Sequence, residues 1–362
     1  MKILYITPTI YDEGGIAKVL SLKTKYWVES CNYEVCFLTS NNSDLSCFHS
    51  FPASTKIIDI KTNGFKPLRI LNYFRKVKTH IESIRPDVII VCDFGWKGFS
   101  FNLFVKTDIP VIFEVHGSKF NETRSISFGL VKSIRAKLRA ILLKTFANTV
   151  YLSTESQQEW NNKGVVIPNP IKIVNSNISL LQNKKAICLA RHSFEKGIDR
   201  LLTIWRKVAN EYPDWVLEIY GDGIYYQDNQ NSINELGLTS NVILYKPQKN
   251  VEEIYKSASI YLMTSRQEGF PMVLLEAMSF GLPIIAYDCP VGPRSIITNQ
   301  FSGFLIADGN EINFIEKIKD LMSNYELRKD IGLHARDEIK KFEVSIIMKV
   351  WDNYLTSLVS EK

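Results

Sequence analysis

The sequence predicts an α/β protein of two Rossmann-like, doubly wound domains facing a cleft. Short apolar runs alternate with longer stretches of helical period along the whole chain. The runs show no strict apolar–polar alternation, as expected of parallel strands buried on both faces. The scheme reaches a pair of prolines near residue 168 and then starts again.

In the first half the apolar runs stand at 3–6, 34–38, 56–60, 87–92, 110–115 and 148–152. Helical stretches lie between them at about 15–30, 66–84 and 128–146. Ile167-Pro168-Asn169-Pro170 is a stiff, non-helical crossing, because proline fixes its own φ and restricts the residue before it. The boundary therefore falls there, with one domain at 1–168 and the next at 171–342. In the second half the runs stand at 186–190, 215–220, 241–245, 259–263, 283–287 and 303–306. Helices are expected at about 196–211, 251–257, 272–280 and 311–341. The last stretch places Ile346, Ile347, Val350, Trp351, Tyr354 and Leu355 at helical spacing. Such a face must cover something apolar, and this helix, about 343–362, is expected to pack back on the first domain.

The chain has 362 residues, 45% hydrophobic and 23% charged, which suits a soluble protein large enough for two or three cores. No run approaches the ~18–20 apolar residues of a membrane span. The opening Met-Lys-Ile-Leu-Tyr-Ile-Thr-Pro reads as a strand ended by proline rather than a secretory leader. Six cysteines form no C-x-x-C pair, and Cys36, Cys92 and Cys188 fall inside apolar runs, so buried cytosolic thiols are expected. Net charge is +6, unevenly placed. Residues 1–170 hold 22 basic against 14 acidic side chains, and the remainder 22 against 24. A basic first half points to an anionic or phosphate-bearing partner.

Five groups of residues carry chemistry. Glu268 and Glu276 are eight positions apart, one before and one inside the helix that follows strand 259–263. Gly269 permits unusual backbone angles, and Pro271 suits a first helical turn. The helix N-terminus favours a phosphate, and Glu276, set among apolar residues, needs donors that a ribose diol could supply. A plain loop and helix with two surface glutamates remains open. Arg191 and Lys196 flank the next strand-to-helix turn, Lys196 starting its helix, where two cations suit a diphosphate. A solvated basic turn remains equally open. Gly221-Asp222-Gly223 follows a strand and reads alone as a turn. Gly14-Gly15 opens the first helix and lets the backbone approach a ligand, but no G-x-G-x-x-G is present. His116-Gly117 follows the run 111–115, where a histidine is as often a structural hydrogen-bonder as a catalyst. No Asp-x-Asp, H-E-x-x-H or P-loop occurs, so a metal site has no support from motifs.

These residues resemble the family-four retaining glycosyltransferases of the GT-B fold, of the bacterial surface-polysaccharide type. The resemblance spans essentially the whole chain: Gly14-Gly15, His116-Gly117, Ile167-Pro168-Asn169, Arg191, Lys196-Gly197, Gly221-Asp222-Gly223, the E-x(7)-E pair and Gly281-Leu282-Pro283. It implies a metal-independent transferase without cofactor that moves a hexose or N-acetylhexosamine from a UDP-sugar to a lipid-linked oligosaccharide or lipopolysaccharide. Arg191 and Lys196 would bind the donor diphosphate and Glu276 the ribose. Glu268 would meet sugar hydroxyls, and Gly269 with the amides of Phe270, Met272 and Val273 would complete that pocket. Gly15 would close over the diphosphate, Gly221 would line the donor site, and His116 would contact the donor sugar. Two departures stand out. Tyr245-Lys246-Pro247 lacks a glycine frequent in the family, and Ser295 replaces a common glutamate.

Two further readings stay on the table. A nucleotide-sugar epimerase or phosphorylase on the same fold finds no signature. A non-catalytic nucleotide-sugar-binding protein predicts loss of Arg191, Lys196 or Glu276, and all three are present. The basic stretches Lys66, Arg69, Arg75, Lys76, Lys78 and His80, and Lys132, Arg135, Lys137, Arg139 and Lys144, are interleaved with leucine and isoleucine. They are expected to hold the enzyme on the inner face of an anionic cytoplasmic membrane. An ordinary solvated helix face would account for them too. Nucleic acid is a poor partner, since no binding motif appears.

Overall fold

The computed structural model describes residues 1–42, 45–63, 66–119, 129–173 and 178–360. The first compact unit takes in the described residues up to Pro170 together with the C-terminal segment from Val344, and the second runs from Ile171 to Glu343.

The first unit holds strands β1 (Lys2–Ile6), β2 (Glu34–Ser40), β3 (Lys56–Ile60), β4 (Val88–Val91), β5 (Val111–Val115), β6 (Asn148–Tyr151) and β7 (Val165–Val166). Its helices are α1 (Gly15–Ser30), α2 (Lys66–Ile84), α3 (Trp96–Phe99), α4 (Phe101–Phe104), α5 (Gly129–Leu143) and α6 (Thr154–Trp160). The second unit holds β8 (Lys185–Leu189), β9 (Val216–Tyr220), β10 (Val242–Tyr245), β11 (Ile260–Met263), β12 (Ile284–Asp288) and β13 (Phe304–Ala307). Between them lie α7 (Ile198–Ala209), α8 (Tyr226–Glu235), α9 (Glu252–Ser257), α10 (Met272–Ser279) and α11 (Pro293–Ile296), and after β13 come α12 (Glu311–Ser323) and α13 (Tyr325–Glu338). The terminal helix α14 (Val344–Ser360) belongs to the first unit. Among the described residues no helix is long and apolar enough to cross a membrane.

Both sheets are parallel throughout. Their orders are β3-β2-β1-β4-β5-β6-β7 and β10-β9-β8-β11-β12-β13. Counted within each unit, both follow the 3-2-1-4-5-6 order of a doubly wound fold, the first extended by β7 as a seventh strand. The order reverses beside the first strand, so ligands are expected beyond the carboxyl ends of β1 and β4, and of β8 and β11.

Several helix limits differ from the sequence reading, each for a local reason. Phe194–Lys196 forms one 3-10 turn and α7 begins only at Ile198, because Gly197 between them is left-handed at φ +64°. Lys196 therefore precedes the helix instead of starting it. The single helix expected at 311–341 is three pieces, since Asn324 leaves helical geometry and its side chain caps α13 through the Leu327 amide. A 3-10 turn at Ile339–Phe342 follows.

In the first unit α1 and α14 cover one face of the sheet. Trp27 and Trp351 are both fully buried and meet edge to face at 6.1 Å, and Tyr33 donates to Asp352 at 2.5 Å. The opposite face is covered by α2, α3, α4, α5 and α6, whose Phe74, Phe99, Phe101, Leu143 and Trp160 share one core with β1, β4 and β5. Truncating Trp351 to alanine removes a fully buried indole, and such changes typically cost about 3–5 kcal/mol. Urea denaturation of Trp351→Ala, followed through the first unit, should show a loss of that order. A change near zero would mean that α14 is not part of this core.

Candidate functional site

The site in the second unit grows from two strand ends, β8 and β11. After Leu189 the chain leaves the sheet through Ala190, Arg191 and His192, makes its 3-10 turn and passes Gly197 into α7. A Cβ at Gly197 would lie 2.2 Å from the Thr264 carbonyl oxygen. Only glycine fits this close approach, and its φ is one that L side chains rarely adopt. The two exit loops are then stitched together. Thr264 Oγ1 donates to the Gly197 carbonyl at 2.8 Å. The amides of Arg266 and Gln267 donate to the Glu195 carbonyl at 2.7 and 3.3 Å. The Arg266 guanidinium forks onto Asp199 at 2.8 and 2.5 Å and donates to the Phe194 carbonyl at 2.8 Å.

This seam brings Lys196 onto Glu268, 72 positions later. The ammonium lies 2.8 Å from both carboxylate oxygens, and Ser265 Oγ donates to Oε1 at 2.7 Å. The Glu268 side chain is 6% exposed and that of Lys196 23% exposed. Glu268 is thus a fixed, twice-satisfied acceptor. Arg191 is held more loosely: its side chain is 64% exposed and its guanidinium meets Glu195 at 3.3 Å. Beneath the pair, burial pushes the Cys188 thiol up to about 12. Burial likewise raises Cys289. Neither thiol is a nucleophile at neutral pH.

From Glu268 the loop leads into α10. Met272 and Val273 are the first two helical residues, whose N–H groups have no intrahelical acceptor in any α-helix. Phe270 is buried edge-on against Phe342 at 5.8 Å. Gly269 does not adopt a left-handed φ, contrary to the role the sequence reading gave it. That role falls to Gly292, at φ +106°, where a Cβ would lie 2.7 Å from Pro271 Cδ and 3.2 Å from the Gly269 carbonyl oxygen. Glu276, buried one turn into α10, accepts a hydrogen bond from Tyr255 Oη at 2.7 Å. Tyr255 is itself fully buried and stacked on Phe280. Gly221 and Gly223 press their backbones against β8's exit: Cβ atoms there would come within 2.0 Å of the Ala190 and 2.4 Å of the His192 carbonyl oxygen. His192 is buried beside Asn229 at 2.9 Å, and burial pulls the imidazole down to about 4, so it stays neutral.

In the first unit, Gly15 is the exposed first residue of α1. Gly14 before it is extended and its amide is taken by Asp12 Oδ1 at 3.0 Å. His116 follows β5 directly. Its side chain is only 4% exposed, with Nε2 3.2 Å from Glu114 Oε1. The same oxygen accepts from Lys23 Nζ, both partners being fully buried. Burial would raise the Glu114 carboxyl, but Lys23 and His116 win and hold it down at about 2. Cys92, Glu114 and His116 have potential ligand atoms within 4.8 Å of one another. The set fits a cation poorly, because Lys23 already occupies the carboxylate and burial keeps the Cys92 thiol protonated.

Of the sequence-predicted residues of the second unit, the structure joins Lys196 and Glu268 directly, while Arg191 meets Glu195, Glu276 meets Tyr255 and Gly221 lies against Ala190. Sequence reasoning missed Tyr255, Ser265, the Arg266–Asp199 fork, Gly292, and Lys23 with Glu114. Of these, only a charged residue inside an apolar strand, Glu114, left a visible signal.

Residues 172–338 match the family model described as "Glycosyl transferases group 1". An uncharacterized glycosyltransferase of Haemophilus influenzae is 28% identical, over 98% of this chain and 99% of its own. The lipopolysaccharide 1,6-galactosyltransferase of Salmonella typhimurium is 26% identical, over 89% of this chain and 90% of its own. Among solved structures, Anabaena HepE in complex with UDP and glucose superposes with a TM-score of 0.78 at 19% identity, covering 99% and 100% of the two chains.

A methyl group at Gly197 attacks the seam directly. Gly197→Ala should destabilise the second unit by more than the ~1 kcal/mol typical of glycine replacements at positive φ. Chemical denaturation checks this, and an unchanged midpoint would show that the close approach at Gly197 does not hold the two exit loops together.

Proposed function

We propose that the chain, whose residues 172–338 match the glycosyl transferases group 1 model, is a member of that family and a retaining transferase of a hexose or N-acetylhexosamine. Its donor is a UDP-sugar, and its acceptor is a lipid-linked oligosaccharide or lipopolysaccharide in cell-surface polysaccharide synthesis. The observation that carries this is the Lys196–Glu268 pair, held at the switch point beside the N-terminus of α10.

On this reading Glu268 accepts hydroxyls of the transferred sugar, and Glu276 accepts those of the ribose with Tyr255 steadying it. Lys196 and Arg191 face the diphosphate. When the bond from sugar C1 to the phosphate oxygen breaks, negative charge grows on the leaving UDP. Two cations and the free N–H groups of Met272 and Val273 stabilise that charge, work that a metal would otherwise do. The acceptor oxygen bonds to C1 from the same face, and its proton passes to the departing phosphate. Configuration is retained without a protein nucleophile, in keeping with the protonated cysteines and a Glu268 locked onto a lysine. His116 is the first unit's candidate for contact with the transferred sugar. The Salmonella galactosyltransferase supports the acceptor class, and the UDP and glucose bound by HepE support the donor.

Membrane attachment is part of the proposal. The layer of α2, α3, α4 and α5 leaves Leu68, Leu71, Trp96, Leu103, Ile134, Leu138 and Ile141 exposed. Arg75, Lys78, Arg135, Lys137 and Lys144 stand exposed among them. The side chains of Lys66 and Lys132 lie outside the described residues. An apolar surface set among cations suits the headgroup region of an anionic bilayer.

Thermal stabilisation by UDP, but not by GDP, ADP or CMP, and unchanged by EDTA, is the expected result. A preference for another nucleotide would overturn the donor, and an EDTA-sensitive response would overturn metal independence. Lys196→Ala should cut turnover about a hundredfold or more, the usual cost of a lost transition-state charge contact. Near-wild-type rates would remove the diphosphate assignment. Arg135→Glu/Lys137→Glu should lower affinity for phosphatidylglycerol vesicles by about tenfold or more, at roughly 1 kcal/mol per cation. Unchanged vesicle binding would put the membrane face elsewhere.

A further inference from the structure

Strand β5 alternates cleanly: Phe113 and Val115 enter the core beneath α2 and α5, and Ile112 enters the core beneath α1 and α14. Period two puts Glu114 and then His116 on the same side as Ile112. A carboxylate therefore stands where the pattern calls for an apolar side chain. Its counter-ion, Lys23, comes from α1 and is also fully buried. Trp351 of α14 covers the ammonium from the other side, 4.0 Å from ring centroid to Nζ.

Buried ion pairs are poor stabilisers, because desolvating two charges cancels most of their attraction, and apolar replacements are often neutral or better. A pair kept at such a place calls for another use. Here one oxygen, Glu114 Oε1, faces both Lys23 Nζ and His116 Nε2.

We propose that Lys23 and Glu114, clamped by Trp351, form the positioning element of His116. Lys23 pins the carboxylate and Glu114 draws the Nε2 edge of the imidazole inward. A carboxylate beside Nε2 favours the tautomer with its proton there, leaving Nδ1 as an acceptor turned away from Glu114. Among the described residues, Tyr5 and Cys92 also feel Glu114, and burial keeps both neutral, so they do not compete for this arrangement. The proposal rests on the reading that His116 meets the transferred sugar. It adds that a lysine in the third turn of α1 and the terminal helix together set that contact.

The test uses the full chain and the double variant Lys23→Met/Glu114→Gln, which removes both charges with little change of shape. Three readouts are compared. The urea midpoint should stay close to wild type, separating positioning from folding. Long-range 15N–1H spectra of 15N-histidine-labelled protein should show His116 as the Nε2–H tautomer in the wild type and as a mixture in the variant. UDP release from UDP-glucose and UDP-galactose should fall about tenfold or more, as in His116→Ala, and the triple variant should lose nothing further. A double variant with wild-type turnover, beside an impaired His116→Ala, overturns the proposal and leaves the function intact. Additive losses, or an unchanged tautomer, overturn it as well. Wild-type turnover in His116→Ala removes His116 from the reaction, and both readings of that residue fall together.

Discussion

A missing Cβ at residue 197 holds the second unit's site together. The exits of β8 and β11 come so close that the Thr264 carbonyl occupies the space a side chain would need. The bonds that stitch the two exit loops accompany that contact. The Glu195 carbonyl can receive two amides, Arg266 can fork onto Asp199, and Lys196 can span to Glu268. Gly221, Gly223 and Gly292 repeat the device on either side, each letting backbone lie against backbone or proline. Four glycines thus take the chain to distances that side chains forbid, at the one end of the sheet where a ligand is expected.

The two units treat buried charge differently. In the second, Glu268 is buried but the Lys196 side chain is 23% exposed, so the cation keeps one side open to an incoming group. In the first, Lys23 and Glu114 are sealed, and exchanging partners there would leave a bare charge in the core. The first arrangement suits groups that must receive a ligand. The second suits groups that hold something else still.

Much of this was legible in the sequence. Unbroken apolar runs gave both parallel sheets, because strands buried on two faces carry no alternation. The E-x(7)-E spacing gave the loop and helix of Glu268 and Glu276, since it straddles a strand end, a glycine and a proline. What the sequence hid was contact between distant elements. Nothing near Tyr255 announces that its hydroxyl meets Glu276, and nothing near Lys23 announces Glu114. Gly269 was assigned the unusual backbone that Gly292 adopts, because φ depends on what packs against the turn. The break at Asn324 was readable in principle, as an asparagine cap ahead of a helical turn.

The two proposed phosphate-binding cations are not equivalent. Lys196 is held at equal distances from two oxygens and loses little freedom when a diphosphate arrives. Arg191 extends into solvent and must give up rotamer entropy to close on the ligand. Preorganised charge contributes most where charge develops, since it needs no rearrangement as the bond breaks. A loosely held guanidinium contributes more to capture, where its planar fork matches a phosphate. On the proposed reading, Lys196 therefore acts mainly on the chemical step and Arg191 mainly on donor binding, a division set by how each side chain is held before the ligand arrives.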